Sequence, residues 1–399
     1  MNAKRIDDWI RSSKDTAQPL AGVRVLVRSD LNVPLKDGRI ADDTRIRASA
    51  ETLRKLCQAG ARVVVCSHLG RPKGKTDPAL SLGPITAALA QQLDTPVSFS
   101  EDCVGPTAHS KVAALEDGQV LLLENLRFHQ GETENEPSFA TELAHLADHY
   151  VNDAFGTAHR AHASTVGVVS RVAQSAAGEL LHHEVAQLEA VLNPKRPLLC
   201  LLGGAKVSDK LGVLEALAER ADALAIGGAM AYTFVSARGE GTGTSLVEPD
   251  RIEAARSVEK AAAESGCRLL LPQDHVVAQS MDPQATTQVV EQIPDGSMGL
   301  DIGPKTAQDY AQEAQKAQTI FWNGPMGVFE IEAFASGTES VASGVAESAA
   351  FSVVGGGDSL AAINRLSLGS AISHLSTGGG ASLEFVQGLT LPGLAALER

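Results

Sequence analysis

Four arginines and three histidines stand where a folded chain would be able to use them for chemistry. Arg45, Arg71, Arg127 and Arg160 each follow a different short aliphatic run, and His68, His159 and His162 lie in the same polar segments. A guanidinium is a planar fork that grips a carboxylate or phosphate through two parallel bonds and stays charged at any working pH. Four of them brought together would hold a small polyanion; the plainer alternative is four unrelated surface arginines. The histidines read as further donors in such a cationic patch. Metal ligation is disfavoured because no carboxylate or cysteine stands at ligand spacing. Ordinary packing or surface exposure stays open for His159 and for His182-His183. The acidic run from Glu132 to Glu136 reads as a solvated loop.

The second half offers backbone instead of guanidinium. Glycine clusters occur at Gly203-Gly204, followed by Lys206 and Lys210, at Gly355 to Gly357, followed by Asp358, and at Gly378 to Gly380. Glycines at a strand-to-helix turn let main-chain N–H groups approach phosphate oxygens, and the helix behind adds its positive dipole end. One such pair is most often a tight turn, but three clusters in one half point to a polyphosphate site. Two familiar phosphate loops are missing. Gly70 to Thr76 imitates a Walker A loop but has three residues between its glycines where that motif needs four, and no G-x-G-x-x-G follows any strand-like run. Protein-kinase signatures are absent too.

These residues must be positioned by elements that alternate along the chain. Strand-like runs fall at Val23 to Val27, Arg62 to Cys66, Val120 to Leu123, Tyr150 to Asn152, Leu198 to Leu202, Ala223 to Ile226, Arg268 to Leu271, Thr319 to Trp322 and Phe351 to Val354. Between most of them lie stretches with helical apolar spacing, such as Ile46, Ala50, Leu53 and Leu56. Unalternated aliphatic strands alternating with helices predict parallel, doubly wound α/β sheets buried on both faces. In such sheets ligands bind beyond the carboxyl ends of the strands, so a twisted sheet would gather the four arginines at one rim. The stripe Leu180, Leu181, Val185, Leu188, Val191 and Leu192 predicts a helix over Glu179 to Lys195, ended by Asn193-Pro194 and joining two domains. The stretch from Leu389 is too short for another βα unit.

Composition agrees with two domains: 399 residues exceed what one core sustains, and aromatics are 4%, so aliphatic side chains must fill the cores. Five cysteines, odd in number and never spaced C-x-x-C, argue against disulfides or a zinc cage and for a reducing compartment. No apolar run approaches the ~20 residues of a spanning helix, so the cytoplasm is expected, with no membrane partner. The formal charge of −14 disfavours nucleic acid. Residues 1–190 carry 20 Lys and Arg against 24 Asp and Glu, and residues 191–399 carry 14 against 24, so a polyanion held by side chains belongs in the first half.

The chain resembles phosphoglycerate kinase over essentially its whole length. The matching stretches are RVLVRSDLNVPL from Arg24, DDTRIR from Asp42, SHLGRPKG from Ser67, ENLRF from Glu124 and NDAFGTAHRAH from Asn152. They continue with GGAKVSDK from Gly203, WNGPMGVFE from Trp322, GGGDSLAAI from Gly355 and STGGGASLE from Ser376. The resemblance implies phosphoryl transfer between ATP and the carboxylate of 3-phosphoglycerate, giving ADP and 1,3-bisphosphoglycerate. It implies that Asp30, Leu31, Asn32, Arg45, His68, Leu69, Gly70, Arg71, Arg127 and Arg160 hold phosphoglycerate. Arg45, Lys206 and Lys210 would form the catalytic set, the lysines reaching the nucleotide phosphates or the group in flight. Gly299, Asn323, Glu330, Gly356, Gly357, Asp358 and Ser359 would serve the nucleotide, with Glu330 on the ribose and Asp358 on the Mg2+ bound with ATP or ADP. Gly378, Gly379 and Gly380 would open a helix toward the transition state.

The fold implied is two doubly wound, Rossmann-like parallel-sheet domains joined by a helix, with the active-site cleft between them. A phosphoglycerate-binding domain would span residues 1–184, a nucleotide-binding domain 185–387, and a tail of 388–399 would return to the first domain. A monomer is expected. Leu31 stands where many members have Phe, and Ser359 where Thr is usual, which keeps a hydroxyl and an N–H for phosphate. Two other classes are weighed against this. One is a different small-molecule kinase or a dehydrogenase, which tight NAD binding would indicate. The other is a non-catalytic nucleotide-binding relative, which loss of a key lysine or arginine would indicate; none is lost.

Overall fold

A computed structural model describes residues 3–13, 17–36 and 38–398. The chain divides into two compact units, one ending at Ala186 and taking in a second segment from Thr390, the other running from Gln187 to Leu389.

The first unit contains β1 (Arg24–Ser29), the hairpin β2 (Leu35–Lys36) and β3 (Arg39–Ile40), β4 (Arg62–Cys66), β5 (Val97–Ser100), β6 (Val120–Leu123), β7 (His149–Asp153) and β8 (Gln174–Ala177). Six of these form one sheet in the order β5-β6-β4-β1-β7-β8, and every pairing in it is parallel. The centre strands are buried on both faces, which is why Val25 to Val27, Val63 to Val65 and Leu121 to Leu123 do not alternate with polar residues. The helix Thr44–Gln58 covers one face with Ile46, Ala50, Leu53 and Leu56, each at most 2% exposed. Each such burial contributes ~1.5–3 kcal/mol for the larger side chains.

The second unit contains β9 (Leu198–Leu202), β10 (Ala223–Ile226), β11 (Arg268–Leu270), β12 (His275–Ala278), β13 (Gln288–Val290), β14 (Met298–Ile302), β15 (Thr319–Asn323), β16 (Phe351–Gly355) and β17 (His374–Ser376). Its main sheet runs β11-β10-β9-β15-β16-β17, again wholly parallel. A second, antiparallel sheet orders β13-β12-β14. The sequence reading did not anticipate it, because its strands are only three to five residues long and lack a long aliphatic run, and β13 is mostly exposed. The edge strands β5, β8 and β17 were missed for a related reason: they are short and rich in Ser, Gln, Ala and His.

The predicted linking helix forms over Glu179–Leu192, three residues shorter than expected, and the boundary between the units falls inside it. The stretch ahead of β1 has a packing role. Ile6 and Trp9 of the helix Ile6–Ser12 are buried in the first core, and Arg5 meets Glu179 at 2.8 Å, with Lys55 on the other Glu179 oxygen at 2.7 Å. At the opposite terminus the helix Pro392–Leu397 docks on the first unit, where the Gly393 N–H donates to the Ala158 carbonyl at 2.8 Å. A Cβ on Gly393 would come within 3.0 Å of the Ala158 backbone.

Asp153, the last residue of β7, turns inward to cap the linking helix: Oδ1 accepts from the Leu181 N–H at 3.2 Å. Burial pushes its carboxyl up to about 7, and burial does the same to Asp301 in the second unit. A carboxyl raised in the folded state stabilises through its neutral form. That contribution is complete below the unfolded pKa near 4 and disappears as pH rises through about 7. Wild-type Tm is therefore expected to fall between pH 5 and 8, and Asp153→Asn to remove part of that fall. A variant whose Tm declines as steeply as wild type in thermal melts at pH 5, 6.5 and 8 would refute the assignment.

Candidate functional site

In the first unit β1 lies between β4 and β7, with β6 beyond β4, so the segments leaving these four carboxyl ends converge. After β1, Asp30 is buried and its Oδ2 accepts from Arg45 Nη1 at 2.8 Å. The same Nη1 donates to the Asn32 carbonyl at 3.3 Å, and the Asn32 side chain accepts from the Gly70 N–H at 2.9 Å. Arg45 sits in the first turn of Thr44–Gln58, whose start is fixed by Asp42 accepting from the Thr44 N–H at 2.8 Å.

Arg127 is only 8% exposed and donates through Nη1 to the Gly70 carbonyl at 2.8 Å, while its buried Nε finds no acceptor. Burial, with Arg28 and Arg160 adding, pushes its guanidinium down to about 10, so it stays charged at neutral pH. Asn125 holds this turn: it accepts from the Arg127 N–H at 3.1 Å and donates to the Leu69 and Leu80 carbonyls. Arg71 is exposed and makes no side-chain bond among the described residues. Gly70, at φ +63°, could not carry a Cβ without meeting Leu80 at 2.7 Å.

Two of the expected cations are neutral. His68 is 3% exposed, and burial, reinforced by Arg28, Arg127, Arg45 and His162, pushes its imidazole well below the ordinary range. Burial pushes His159 down to about 4, with Arg160 adding, and its Nε2 accepts from Arg160 Nε at 3.2 Å. The charge that Arg45, Arg127 and Arg160 bring to these strand ends therefore does not depend on either imidazole. Leu31 and Leu69 are 0% and 2% exposed in the hydrophobic core, so only their main chain could meet a substrate. Glu132 also departs from expectation. It is fully buried, because both its oxygens are bonded to Ser164.

In the second unit the glycine turns after β9, β10 and β15 pack backbone against backbone. A Cβ on Gly203 would stand 1.9 Å from the Pro325 carbonyl, and the Gly228 N–H donates to Met326 O at 2.7 Å. Lys210 lies across this junction, its ammonium donating to Gly203 O, Asn323 O and Asn323 Oδ1 at 2.6, 2.8 and 2.7 Å. Burial pushes it down to about 8, against the pull of Asp358 and Asp209. Lys206 is exposed.

Gly356, at φ +93°, precedes the helix Gly357–Arg365, whose first N–H groups have no intrahelical acceptor. No atom would obstruct a Cβ on Gly357, so the approach to this helix end is open. Ser359 is buried and its Oγ accepts from the Gly324 N–H at 2.6 Å. The hydroxyl expected on phosphate is thus turned inward, which leaves the main-chain N–H. Gly378, Gly379 and Gly380 lead into the short helix Gly380–Val386, with Gly379 at φ +56°.

A cavity of about 610 Å³ is lined by Gly204, Gly228, Gly299, Leu300, Glu330 and Asp358 among others, a size suited to a nucleotide. The Asp358 carboxylate has no hydrogen bond or ion pair among the described residues. A hard oxygen ligand on the wall of a nucleotide-sized cavity fits Mg2+ shared with a polyphosphate.

Sequence reasoning passed over Arg28, Ser164 and Asn125. Arg28 carried a usable signal, a charged residue closing the aliphatic run of a buried strand. The other two gave none, since their roles depend on which turns meet.

A family model described as phosphoglycerate kinase matches residues 15–389. The chain is 56% identical over 381 residues to the phosphoglycerate kinase of Rubrobacter xylanophilus, covering 95% of this chain and 96% of that one. It is 50% identical to that of Acaryochloris marina, covering 96% and 97%. Among solved structures, phosphoglycerate kinase from Coxiella burnetii superposes with a TM-score of 0.86 at 43% identity, covering 95% of this chain and 96% of that one. The enzyme from Pyrococcus horikoshii superposes with a TM-score of 0.85 at 34% identity, covering 99% and 98%.

Proposed function

Because this chain belongs to the phosphoglycerate kinase family of phosphotransferases, we propose that it moves a phosphoryl group between ATP and the carboxylate of 3-phosphoglycerate. The observation that carries this reading is the set of strand-end arginines in the first unit. Arg127 there has a buried donor without an acceptor, as an anion site requires. The first unit takes the acceptor and the second the nucleotide, whose phosphates lie at the open end of Gly357–Arg365.

The acceptor carboxylate is ionised at neutral pH, so the reaction needs no general base, consistent with neutral His68 and His159. The difficulty is bringing two polyanions together, so catalysis is alignment plus neutralisation of oxygens in flight. Arg45, Arg127 and Arg160 neutralise the acceptor, and Lys206 and Lys210 neutralise the nucleotide. Asp358 would hold Mg2+, which when bound supplies positive charge across the nucleotide phosphates. The protein acts as a cytoplasmic monomer without a nucleic-acid or membrane partner; its −14 charge weighs against nucleic acid, and its five free cysteines fit a reducing compartment.

ADP formation from ATP, followed with and without 3-phosphoglycerate, tests the activity. Turnover that ignores the acceptor would overturn it. Arg71→Ala is expected to raise KM for 3-phosphoglycerate about tenfold or more with KM for ATP nearly unchanged, since its guanidinium is exposed and unengaged in the first unit. Equal increases in both constants would count against the division of labour.

A further inference from the structure

The residue beneath the acceptor site that nothing in the proposed chemistry uses is Glu132. It lies on the four-residue helix Gln130–Thr133, is 0% exposed, and spends both oxygens on Ser164: Oε1 accepts from Ser164 Oγ at 2.6 Å and Oε2 from the Ser164 N–H at 3.0 Å. Tyr150 fixes the same residue from the other side by donating to the Ser164 carbonyl at 2.6 Å. With its proton committed to Glu132, Ser164 Oγ accepts from Arg28 Nε at 2.9 Å. Arg28 is itself fully buried. It donates through Nη1 to the Ser29 carbonyl, and its Nη2 lies 2.9 Å from His68 Nδ1.

A guanidinium can only donate, so His68 Nδ1 must accept and the imidazole proton must sit on Nε2. We propose that Glu132 is a positioning residue of the acceptor site, acting through Ser164 and Arg28 to hold His68 as the neutral Nε2–H tautomer. A buried guanidinium needs a counter-charge and filled donors. Glu132 provides the charge, and Ser164 places the Arg28 fork so that its remaining arm reaches His68. Besides Arg28, the charged or titratable groups that bear most on His68 are Arg127, Arg45 and His162, whose Nδ1 lies 3.6 Å from Glu132. Burial and these arginines oppose protonation of His68. The site gains a donor whose charge does not change with pH, unlike an ordinary histidine, which titrates near 6.5. The inference rests on the reading of His68 as an acceptor-site residue for its functional consequence, and on geometry alone for the tautomer.

The test is long-range 1H–15N correlation of the histidine rings in the full-length, ligand-free protein, with the His68 signal assigned from His68→Gln. In wild type, His68 is expected to show a pyridine-type Nδ1 and a pyrrole-type Nε2 without titration from pH 5.5 to 8. Ser164→Ala removes the relay but leaves both charges. It should give mixed tautomers and raise KM for 3-phosphoglycerate about tenfold, with kcat and KM for ATP within about twofold. Ser164→Thr retains the hydroxyl and should keep the wild-type signature. Glu132→Gln should behave as Ser164→Ala if it folds. An Nδ1–H tautomer or an ordinary titration in wild type overturns the proposal without any variant. So does a folded Ser164→Ala protein with an unchanged ring signature and KM. A wild-type protein that shows the locked tautomer but does not bind 3-phosphoglycerate would instead defeat the functional reading.

Discussion

Arg45→Ala is expected to lower kcat by ~10² or more while either KM changes less, because a contact made mainly to the phosphoryl group in flight appears in kcat. In the ligand-free protein one arm of this guanidinium is braced by Asp30 and the Asn32 carbonyl. Bracing orders the side chain before substrate arrives, so less conformational freedom is lost in the transition state. Arg45→Lys should recover only part of the rate, since an ammonium cannot hold Asp30 and bridge two phosphoryl oxygens as a planar fork can. Asp30→Asn separates bracing from charge: it weakens the brace without removing the cation, and should cost less in kcat than Arg45→Ala. Steady-state kinetics on the three variants, with circular dichroism to confirm folding, decide the matter. A folded Arg45→Ala enzyme with near wild-type kcat would remove Arg45 from the catalytic set. A loss confined to the KM for 3-phosphoglycerate would make it a ground-state anchor.

The parts legible in the sequence are those set by short-range physics. Strands buried on both faces must be continuous aliphatic runs, so Arg62–Cys66, Val120–Leu123, Leu198–Leu202 and Ala223–Ile226 form where the residues indicated. Residues that follow such runs collect at carboxyl ends, which is why the arginines after β4, β6 and β7 and the glycines after β9 and β16 were visible as candidates. What stayed hidden depends on long-range meetings. Glu132 is indistinguishable in sequence from its solvated neighbours Glu134 and Glu136 until the turn at Ser164 folds over it. His68 reads as a cation until Arg28 is found against its ring. Ser359 reads as a phosphate ligand until Gly324 takes its hydroxyl. In each case the side chain's chemistry was read correctly and its partner was not, because the partner comes from a distant segment of the chain, Arg28 from another strand and Ser164 and Gly324 from turns beyond other strands.

Lys210 gives the second large effect, and its geometry dictates a pH signature. Its three ammonium protons are all engaged, on Gly203 O, Asn323 O and Asn323 Oδ1, so contact with a phosphate requires it to release at least one of them. Lys210→Met keeps the volume, removes the charge and leaves two backbone carbonyls without their donor at the junction of the glycine turns. It is expected to reduce kcat/KM for ATP by ~10² or more while 3-phosphoglycerate binds as before. The charged form is also what nucleotide phosphate must select. Burial holds Lys210 at about 8 in the free protein, and a bound phosphate raises that value, so binding takes up a proton once the free lysine has lost its own. Affinity for ADP is therefore expected to be level up to about pH 8 and then to weaken, approaching tenfold per pH unit until the pKa of the bound state is reached. ADP titration calorimetry from pH 7 to 9.5 in buffers of different ionisation enthalpy measures both the slope and the proton uptake. Lys210→Met should bind weakly with a flat profile over the same range. A wild-type affinity that does not change between pH 8 and 9.5, with no proton taken up, would show that Lys210 only fastens the glycine turns together and does not reach the nucleotide.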